Sequence, residues 1–514
     1  MILSALIWIP IIGALFVAWL PRQDNPQQAR LLSLAIAALI LMLNGVLGWQ
    51  FDVSNPQMQL VENVSWIPGI GFSYHLGIDG LSFPLLCLNS LLTLIAIYST
   101  NAEGLPRSRF YFALLLILSG GVAGAFLAQD LLLFFLFYEL EIIPLYFLIA
   151  IWGGERRGYA AMKFLLYTAV SGFLVLISFL GWVWLTQATT FDYNPALSQA
   201  LPLNLQLLLL IPLLIGLAIK IPIFPFHTWL PDAHVEASTP VSVLLAGVLL
   251  KLGTYALLRF GVGLYLDAWV SIAPWLATLA AISALYGASC AIAQKDMKKV
   301  VAYSSIAHMG YILLAAAATT RLSIVAASCQ MVSHGLISAM LFLLVGVVYR
   351  KTGSRDVDYL RGLLSPERGL PIIGSLMIVG VMASAGIPGL VGFIAEFLVF
   401  RGSFPIFPVQ TLFCLVGSGL TAVYFLLMVN RVFFGRLTPE LSRLPRVLWR
   451  ERFPAIVLAL LIVLLGIQPQ WLSRWSEPQA ALLLTGQADN VALLPASPSA
   501  HRWDSQKFPY NGGL

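Results

Sequence analysis

Long apolar stretches separated by short polar segments run along most of the chain. A membrane-crossing helix needs about 20 apolar residues, and the chain lacks the ten-residue alternation that is typical of a membrane β-barrel. The pattern therefore predicts an all-α integral membrane fold of about fourteen transmembrane helices. The predicted spans are residues 2–20, 31–50, 78–98, 110–128, 130–150, 162–185, 205–226, 238–260, 268–292, 300–318, 322–349, 371–400, 408–434 and 453–470.

Basic residues gather in alternate loops of this arrangement. They follow spans one, three, five, nine, eleven and thirteen, whereas the loops on the other side are nearly free of them. Because short basic loops stay in the cytoplasm, the pattern predicts that these loops are cytoplasmic and that both termini lie on the opposite, non-cytoplasmic face. The residues concerned are Arg22, Arg30, Arg107, Arg109, Arg156, Arg157, Lys295, Lys298, Lys299, Arg350, Lys351, Arg355, Arg361, Arg431, Arg436, Arg443 and Arg446.

Two segments outside the spans carry expectations of their own. Residues 51–77 are predicted to form a non-cytoplasmic loop, with Trp66 and Tyr74 as anchors at the membrane interface. The residues after Gln470 show little periodicity and are predicted to form an extended or partner-bound tail. No cleavable leader is recognisable, so Met1 to Leu20 is interpreted as a retained helix.

Composition strengthens the membrane assignment and excludes several other functions. The chain is 59% hydrophobic and only 10% charged, with a mean hydropathy of +0.87. Its net charge of +6 lies in short loops, so it requires no nucleic-acid partner. No CxxC pair occurs among the four cysteines, which argues against iron–sulfur ligation by this chain. The isolated cysteines are Cys87, Cys290, Cys329 and Cys414.

The stretch from Leu205 to Phe260 contains two apolar helices with one lysine each, Lys220 and Lys251. Lys251 lies near the middle of its span, where a lysine is disfavoured by about 2.5–3.5 kcal/mol even on the lenient insertion scale. We therefore expect Lys251 to face a protein interior or a wet cavity rather than lipid.

Lys220 directly precedes a break in the seventh predicted span. Pro222 and Pro225 cannot donate backbone hydrogen bonds, which would free the carbonyl groups of Ala218 and Ile221 beside the lysine. Broken helices at membrane depth are typical of ion or substrate sites. The alternative is a proline kink with a lysine that extends to the membrane surface.

A similar break at residues 385–389 interrupts the twelfth span. Paired interrupted helices are typical of transporters built from repeats, so spans four to eight and nine to thirteen are predicted to be two inverted five-helix repeats. The predicted divisions are residues 1–109 (helices one to three and the loop), 110–262 (first repeat), 263–436 (second repeat) and 437–514 (last helix and tail).

Four more ionisable residues lie inside predicted spans. Glu139 and Glu141 are about 200° apart around a helix, so only one can share a given pocket, and Glu139 is favoured. His308 and His334 have polar neighbours one turn away, and histidine titrates near neutral pH. The alternative for each histidine is an electrically silent hydrogen bond to a serine.

Glu396 follows the second break by two turns, where a buried carboxylate without a nearby cation binds and releases protons readily. A structural ion pair is the alternative. No metal site is predicted, because His227 and His234 are seven residues apart across a proline-bearing loop. Together, the buried acids, lysines and histidines on successive helices favour a proton path.

Long motifs in these segments resemble a known family. PFHTWLPDAHVEASTPVSVLLAGVLLKLGTY and KDMKKVVAYSSIAHMGY resemble the antiporter-like membrane subunits of respiratory complex I and its relatives. LLLFFLFYELEIIPLYFLIAIWGGERR and SNPQMQLVENVSWIP resemble the chain-4 type of cyanobacterial and chloroplast NAD(P)H-quinone oxidoreductases. The resemblance covers nearly the whole chain and is weakest before Asp79 and after Gln470.

This resemblance implies a role for each candidate residue. Glu139 and Lys220 would form a switching pair at a subunit boundary, and Lys251 would be the central relay. His308 and His334 would carry the proton onward to Glu396, the acid on the exit side. Plastoquinone and iron–sulfur clusters would bind in partner subunits, with ferredoxin reached through other chains, and this chain would hold no cofactor.

The resemblance also implies a setting, which is a cyanobacterial thylakoid membrane and a multi-chain complex with neighbouring antiporter-like subunits and lipids. The N-terminal helices and the tail favour the paralogue that serves carbon dioxide uptake, with carbon-dioxide-hydrating partners. Two other functions compete with a proton-pumping subunit of a quinone oxidoreductase. One is a subunit of a cation/proton antiporter, and the other is a structural spacer whose polar groups only bind neighbouring helices.

Overall fold

Helices form most of the structure, a computed structural model that describes residues 1–20, 26–366, 369–441 and 444–484. The helices are α1 (Ile2–Trp19), α2 (Pro26–Gln50), α3 (Ser82–Ser99), α4 (Ser108–Leu127), α5 (Leu131–Leu140), α6 (Ile142–Trp152), α7 (Arg157–Thr186), α8 (Pro195–Gln199), α9 (Leu203–Lys220), α10 (Trp229–Glu236), α11 (Thr239–Leu244), α12 (Leu250–Ala256), α13 (Leu266–Ile292), α14 (Met297–Ala318), α15 (Arg321–Thr352), α16 (Pro371–Ser384), α17 (Val391–Ser403), α18 (Pro408–Phe433), α19 (Trp449–Ile467) and α20 (Gln470–Leu483).

Within the described ranges, twelve helices are long and apolar enough to cross a membrane. The bent pair α19 and α20 raises this number to thirteen if it is one span. The all-α membrane fold is therefore confirmed, whereas the predicted count of fourteen is not. The difference lies at residues 371–400, because the chain there forms two helices, α16 and α17, of 14 and 13 residues, each shorter than a membrane requires.

Four spans form the interior of the domain, and the others surround them. The membrane-spanning windows of the helix Thr239–Val262 and of α15 are 100% buried, and those of α14 and α4 are 94% and 89% buried. The window of α2, by contrast, is only 28% buried. Lys251, His308 and His334 lie on the interior helices, as their burial cost required.

Both predicted helix breaks are present. Helix α9 ends at Lys220 and α10 begins at Trp229, and α16 ends at Ser384 while α17 begins at Val391. At the first break the freed carbonyl of Ala218 accepts a hydrogen bond from the backbone N–H of Ile223 at 2.9 Å. The expectation of a free acceptor at Ala218 was therefore wrong. The backbone N–H five residues later, that of Ile223, occupies this carbonyl in place of the donor that Pro222 lacks. The inverted repeat itself stays a prediction.

The predicted loop after α2 contains a β-hairpin. Strands β1 (Gln59–Ile67) and β2 (Phe72–Ile78) pair antiparallel, with a 3₁₀ turn at Pro68–Ile70 between them. Trp66 is 55% exposed on the hairpin, whereas the hydroxyl of Tyr74 accepts a hydrogen bond from Trp8 Nε1 at 3.0 Å. Tyr74 thus fixes the hairpin to α1, and the role of both rings as interface anchors stays a prediction.

Residues Gln470–Leu483 are helical rather than extended. Helix α20 turns by 66° from α19 and packs against α15 and α3. The ring of Trp475 lies 5.5 Å from that of Phe51 and 4.9 Å from that of Phe83. These contacts within the chain correct the prediction of an extended tail for residues 470–484, and residues 485–514 lie outside the described part.

Candidate functional site

Lys251 lies at the centre of a fully buried span. The helix Thr239–Val262 contains a π-helical segment, Leu245–Leu249, directly before α12. Such segments are frequent at functional sites because they alter the pattern of backbone hydrogen bonds. The carbonyl of Ala246 in this segment accepts a hydrogen bond from Lys251 Nζ at 2.6 Å. The lysine is 0% exposed, which confirms the expectation that it faces the protein interior.

A second contact joins Lys251 to His334 on α15. Lys251 Nζ lies 2.7 Å from His334 Nδ1. With a charged lysine, the ammonium donates to a neutral ring, and with a neutral lysine a protonated ring donates to the amine. One hydrogen bond therefore serves both positions of the proton, so the pair can pass a proton without rearrangement of the helices.

The two histidines continue the path across a small cavity. Their ring centroids are 5.5 Å apart. The cavity between α14, α15 and α17 is lined by hydroxyl and amide groups as well as by both rings and Glu396. A polar cavity of this kind can hold a water molecule that bridges the rings. The polar lining residues are Ser304, Gln330, Ser333, Ser338 and Ser384.

His308 brings the path to the second break. Its Nδ1 lies 3.3 Å from Glu396 Oε1, and its Nε2 lies 3.1 Å from Ser384 Oγ at the end of α16. Glu396 Oε2 accepts a hydrogen bond from Ser418 Oγ at 2.6 Å, and Gln330 Nε2 lies 3.3 Å from His308 Nδ1. Groups on three further helices, α15, α16 and α18, thus orient the histidine on α14 and the carboxylate on α17.

At the first break, Lys220 forms its ion pair with Glu141 rather than with Glu139. Both members of the pair are fully buried, and Lys220 Nζ lies 4.4 Å from the centre of the Tyr138 ring. The favoured residue Glu139 therefore does not contact Lys220 directly, and its pairing with Lys220 as a switch stays a prediction. The cause is a joint in the helix, because α5 ends at Leu140 and α6 begins at Ile142, so regular rotation does not apply at Glu141.

Glu139 lies against α7 instead. A Cβ atom at Gly172 would overlap its carboxylate, so the glycine provides the space in which this side chain rests. Oε1 of Glu139 is buried without a hydrogen-bond partner among the described residues. The two glutamates therefore occupy different environments on either side of the joint.

The two lysine-bearing helices pack closely at this point. Gly253 on α12 lies against the first break, where an added Cβ would come within 2.7 Å of Ile221 Cγ1 and 3.4 Å of Lys220 Cβ. Trp229 Nε1 donates a hydrogen bond to the carbonyl of Ile219 at 2.8 Å, which closes the break from the other side. Lys220 and Lys251 share no hydrogen bond in the described part of the chain, so packing at Gly253 is what links their helices here.

Several polar residues of the site were not predicted from the sequence. Ser384 and Ser418 hold His308 and Glu396, and Tyr138 covers Lys220. A further buried ion pair joins Arg259 to Asp79, which also caps α3 by accepting from the backbone N–H of Ser82 at 3.0 Å. Arg259 could have been found from the sequence, because it is a charged residue inside a predicted span. Nothing in the sequence distinguished Ser384 and Ser418.

Metal binding has no support in the described residues, where no group of three or more His, Cys, Asp or Glu side chains could hold an ion. Both ring nitrogens of the fully buried His234 lack hydrogen-bond partners among the described residues, and the ring stacks on Phe342 at 4.4 Å. The arrangement as a whole places titratable groups in contact with one another in the buried interior.

Residues 128–421 match the family model for the membrane subunits of NADH:quinone oxidoreductase and Mrp antiporters. This match covers more than half of the chain. The chain belongs to that family. It is 43% identical over 476 residues to NAD(P)H-quinone oxidoreductase chain 4 1 of Synechococcus sp. (strain JA-3-3Ab), with 90% of this chain and 89% of the relative covered. It is 42% identical over 446 residues to chain 4-2 of Synechocystis sp., covering 85% and 79%.

Solved structures give the same assignment. A chain of respiratory complex I from Thermus thermophilus is similar at a TM-score of 0.85 and 28% identity, covering 94% of this chain and 99% of that chain. A chain of the Mrp complex from Dietzia sp. DQ12-45-1b has a TM-score of 0.82 at 23% identity, covering 95% and 98%. The second likeness bears on the fold alone. The expected chain-4 type within the complex I family is thus confirmed.

Proposed function

We propose that this chain is a proton-translocating membrane subunit of an NAD(P)H-quinone oxidoreductase, and that protons pass along the buried residues described above. Lys251 is the central relay, His334 and His308 carry the proton onward, and Glu396 is the acid at the far end. The observation that carries this proposal is the contact of 2.7 Å between Lys251 Nζ and His334 Nδ1 inside a 100% buried span. A buried lysine at this depth is energetically unfavourable, so we infer that it is there for its function.

The Lys220 pair is the switch that sets the charge beside Lys251. Its ammonium acts electrostatically on both Glu141 and Glu139, so a proton arriving at either carboxylate changes the field along α12. Glu141 is the direct partner in this conformation, and Glu139 is the second carboxylate to which the lysine responds. The subunit-boundary role of Glu139 stays a prediction.

Energy for the transport comes from elsewhere in the complex. Moving one proton against 100 mV needs about 2.3 kcal/mol, which has to be supplied by a driving reaction. We infer that quinone reduction in partner subunits drives the switch, with plastoquinone and iron–sulfur clusters in those chains. Ferredoxin or NAD(P)H is the donor, reached through other chains, and neighbouring antiporter-like subunits and lipids surround this one.

The relatives are cyanobacterial, which supports a thylakoid membrane. The distribution of basic loops supports lumenal termini. Within such membranes, we propose the paralogue that serves carbon dioxide uptake, together with carbon-dioxide-hydrating partners. Residues 110–262 and 263–436 are the two inverted repeats in this proposal, flanked by residues 1–109 and 437–514.

The test replaces Lys251 in the assembled complex. We expect Lys251→Ala to leave assembly intact and to abolish proton uptake by vesicles that contain the complex, measured with a pH-sensitive dye during quinone reduction. Lys295→Ala is the matched control, because Lys295 is an exposed lysine in a loop, with its side chain 75% exposed. Full pumping by Lys251→Ala would contradict the proposal.

A second candidate, a subunit of a cation/proton antiporter, is favoured by the Mrp part of the family description. The two functions differ in the partners they need. Gel filtration of the gently solubilised protein separates them, because only a quinone oxidoreductase subunit migrates with iron–sulfur chains. Sodium-dependent proton exchange by the chain without such partners would favour the antiporter.

A further inference from the structure

A cluster of arginines lies where four helices reach the same membrane face, the one that carries the basic loops. Arg30 Nη2 donates to the carbonyl of Tyr98 at 2.6 Å, and Arg350 Nη1 donates to the carbonyl of Ser99 at 3.4 Å. These carbonyls belong to consecutive residues at the end of α3, so the two guanidinium groups are neighbours. Arg450 at the start of α19 is close enough to repel both of their charges.

The positive charges of this cluster exceed the negative charge beside them. The carboxylate of Glu451 lies among the arginines, but it binds Lys351 Nζ at 2.8 Å and the backbone N–H of Leu448 at 2.8 Å. Arg30 Nε is buried and has no hydrogen-bond partner among the described residues. An unpaired hydrogen-bond donor beside several positive charges favours the binding of an anion. The anion accepts a hydrogen bond from the donor and offsets the repulsion between the positive charges.

An apolar stripe runs from this cluster into the membrane. Tyr98, Leu94, Leu91 and Cys87 follow one another on α3 at spacings of four, three and four residues. They are partly exposed, whereas residues 88–90, 92–93 and 95–97 between them are buried. Eleven residues of helix extend about 16 Å. That length is close to half of the roughly 30 Å hydrocarbon thickness, so the stripe spans one leaflet.

Helices α2 and α19 meet α3 at the head of the stripe. The guanidinium carbon of Arg30 on α2 lies 5.7 Å from the centre of the Tyr98 ring. The ring of Phe453 on α19 lies 5.8 Å from the same Tyr98 ring. Trp449, one turn earlier in α19, is 59% exposed. Tyrosine and tryptophan are enriched where the polar headgroups of lipids begin, so the cluster lies at headgroup depth.

We propose that this cleft binds an anionic membrane lipid. Its negatively charged headgroup accepts hydrogen bonds from Arg30, Arg350 and Arg450, and one acyl chain lies along the stripe of α3. The combination selects a lipid over a soluble anion, because a free phosphate would use the arginines but not the apolar stripe. An acidic segment of a partner chain is the competing occupant.

The first experiment measures the lipids that remain with the complex. We expect the double variant Arg30→Gln with Arg450→Gln, purified as the assembled complex, to lose about one tightly held anionic lipid per complex, as counted by mass spectrometry. The control combines Arg107→Gln with Arg436→Gln, which removes two charges from exposed arginines in other basic loops. Equal retention of anionic lipid by the test variant and the unaltered complex would overturn the proposal.

The second experiment remains decisive if the double variant fails to assemble. A photoreactive benzoylphenylalanine replaces Leu91 in a complex whose arginines are unchanged. We expect illumination to add the mass of a lipid to this chain. A peptide adduct from another subunit would overturn the proposal in favour of a partner chain, and the absence of any adduct would overturn it as well.

Discussion

The two helix breaks hold their buried carboxylates in different ways. At the first break, Glu141 meets Lys220 directly, and neither carboxylate oxygen receives a hydrogen bond from another described residue. At the second break, Glu396 accepts from Ser418 at 2.6 Å and contacts His308 at 3.3 Å. Charge therefore holds the first pair, whereas hydrogen bonds hold the second carboxylate.

This difference indicates a division of labour. A buried ion pair without further hydrogen bonds is favourable only while both charges are present, so a change of protonation releases it. A carboxylate with hydroxyl and imidazole partners keeps its position whether it is charged or protonated. The first break is thus suited to switching, and the second is suited to passing protons on.

The largest expected effect comes from breaking the first pair. Glu141→Gln leaves the Lys220 charge buried and uncompensated, which costs about 3–5 kcal/mol. We expect a clear fall in the thermal stability of the assembled complex and a loss of proton pumping. Glu139→Gln is the matched control, and it is expected to preserve the stability. A larger loss of stability from Glu139→Gln would show that Glu139 is the true partner of the lysine.

The second break is expected to respond differently. Glu396→Gln retains a side chain that accepts a hydrogen bond from Ser418 but cannot carry a proton. We therefore expect pumping to fall while the melting temperature changes little, measured on the same complex. Loss of stability as large as that of Glu141→Gln would mean that Glu396 is a structural ion-pair member, which was the alternative reading of this residue.

The position of Glu139 can be tested through the glycine it rests on. Gly172→Ala introduces a methyl group that overlaps the carboxylate, and overpacking of this kind typically costs about 1–3 kcal/mol. Gly158→Ala on the same helix is the control, since nothing lies within 4 Å of the added Cβ. Equal thermal stability of the two variants would show that Glu139 rests elsewhere.

The smallest effect is expected from the hydroxyl groups of the second break. Ser384→Ala removes one hydrogen bond to His308 Nε2, an interaction worth about 0.5–1.5 kcal/mol. We expect a modest decrease in pumping rate without loss of assembly. The control is Ser403→Ala, at a buried serine of α17 whose hydroxyl has no hydrogen-bond partner in the part of the chain that the structure describes. A pumping rate equal to that of the control would mean that Ser384 does not position His308.

Energetic cost made the main features of the site predictable from the sequence. Lysine, histidine and glutamate inside apolar spans had to face the interior, and the structure brings Lys251, His334, His308 and Glu396 together as a connected series. The helix breaks marked by proline were equally predictable, because proline lacks a backbone N–H donor in any context.

Other features depend on tertiary contacts that a single sequence does not encode locally. The joint between α5 and α6 places Glu141, rather than Glu139, against Lys220. Ser418 donates to Glu396 although the two residues are 22 positions apart in the sequence. The hairpin of β1 and β2 was missed because β1 lacks a regular alternation of buried and exposed positions. Helix α20 was missed because its polar residues and Pro478 are typical of an irregular segment. Its packing against α15 stabilises it, and the local sequence does not reveal that contact.

The central claim is that protons follow one path through the contact between Lys251 and His334. The most direct test is a double-mutant cycle on the number of protons pumped per electron, with Lys251→Ala, His334→Asn and the two combined. Residues on a single path act as a unit, so each single variant and the double variant are expected to lose pumping to the same extent. Partial losses that add up in the double variant would contradict the claim, because they require two separate routes.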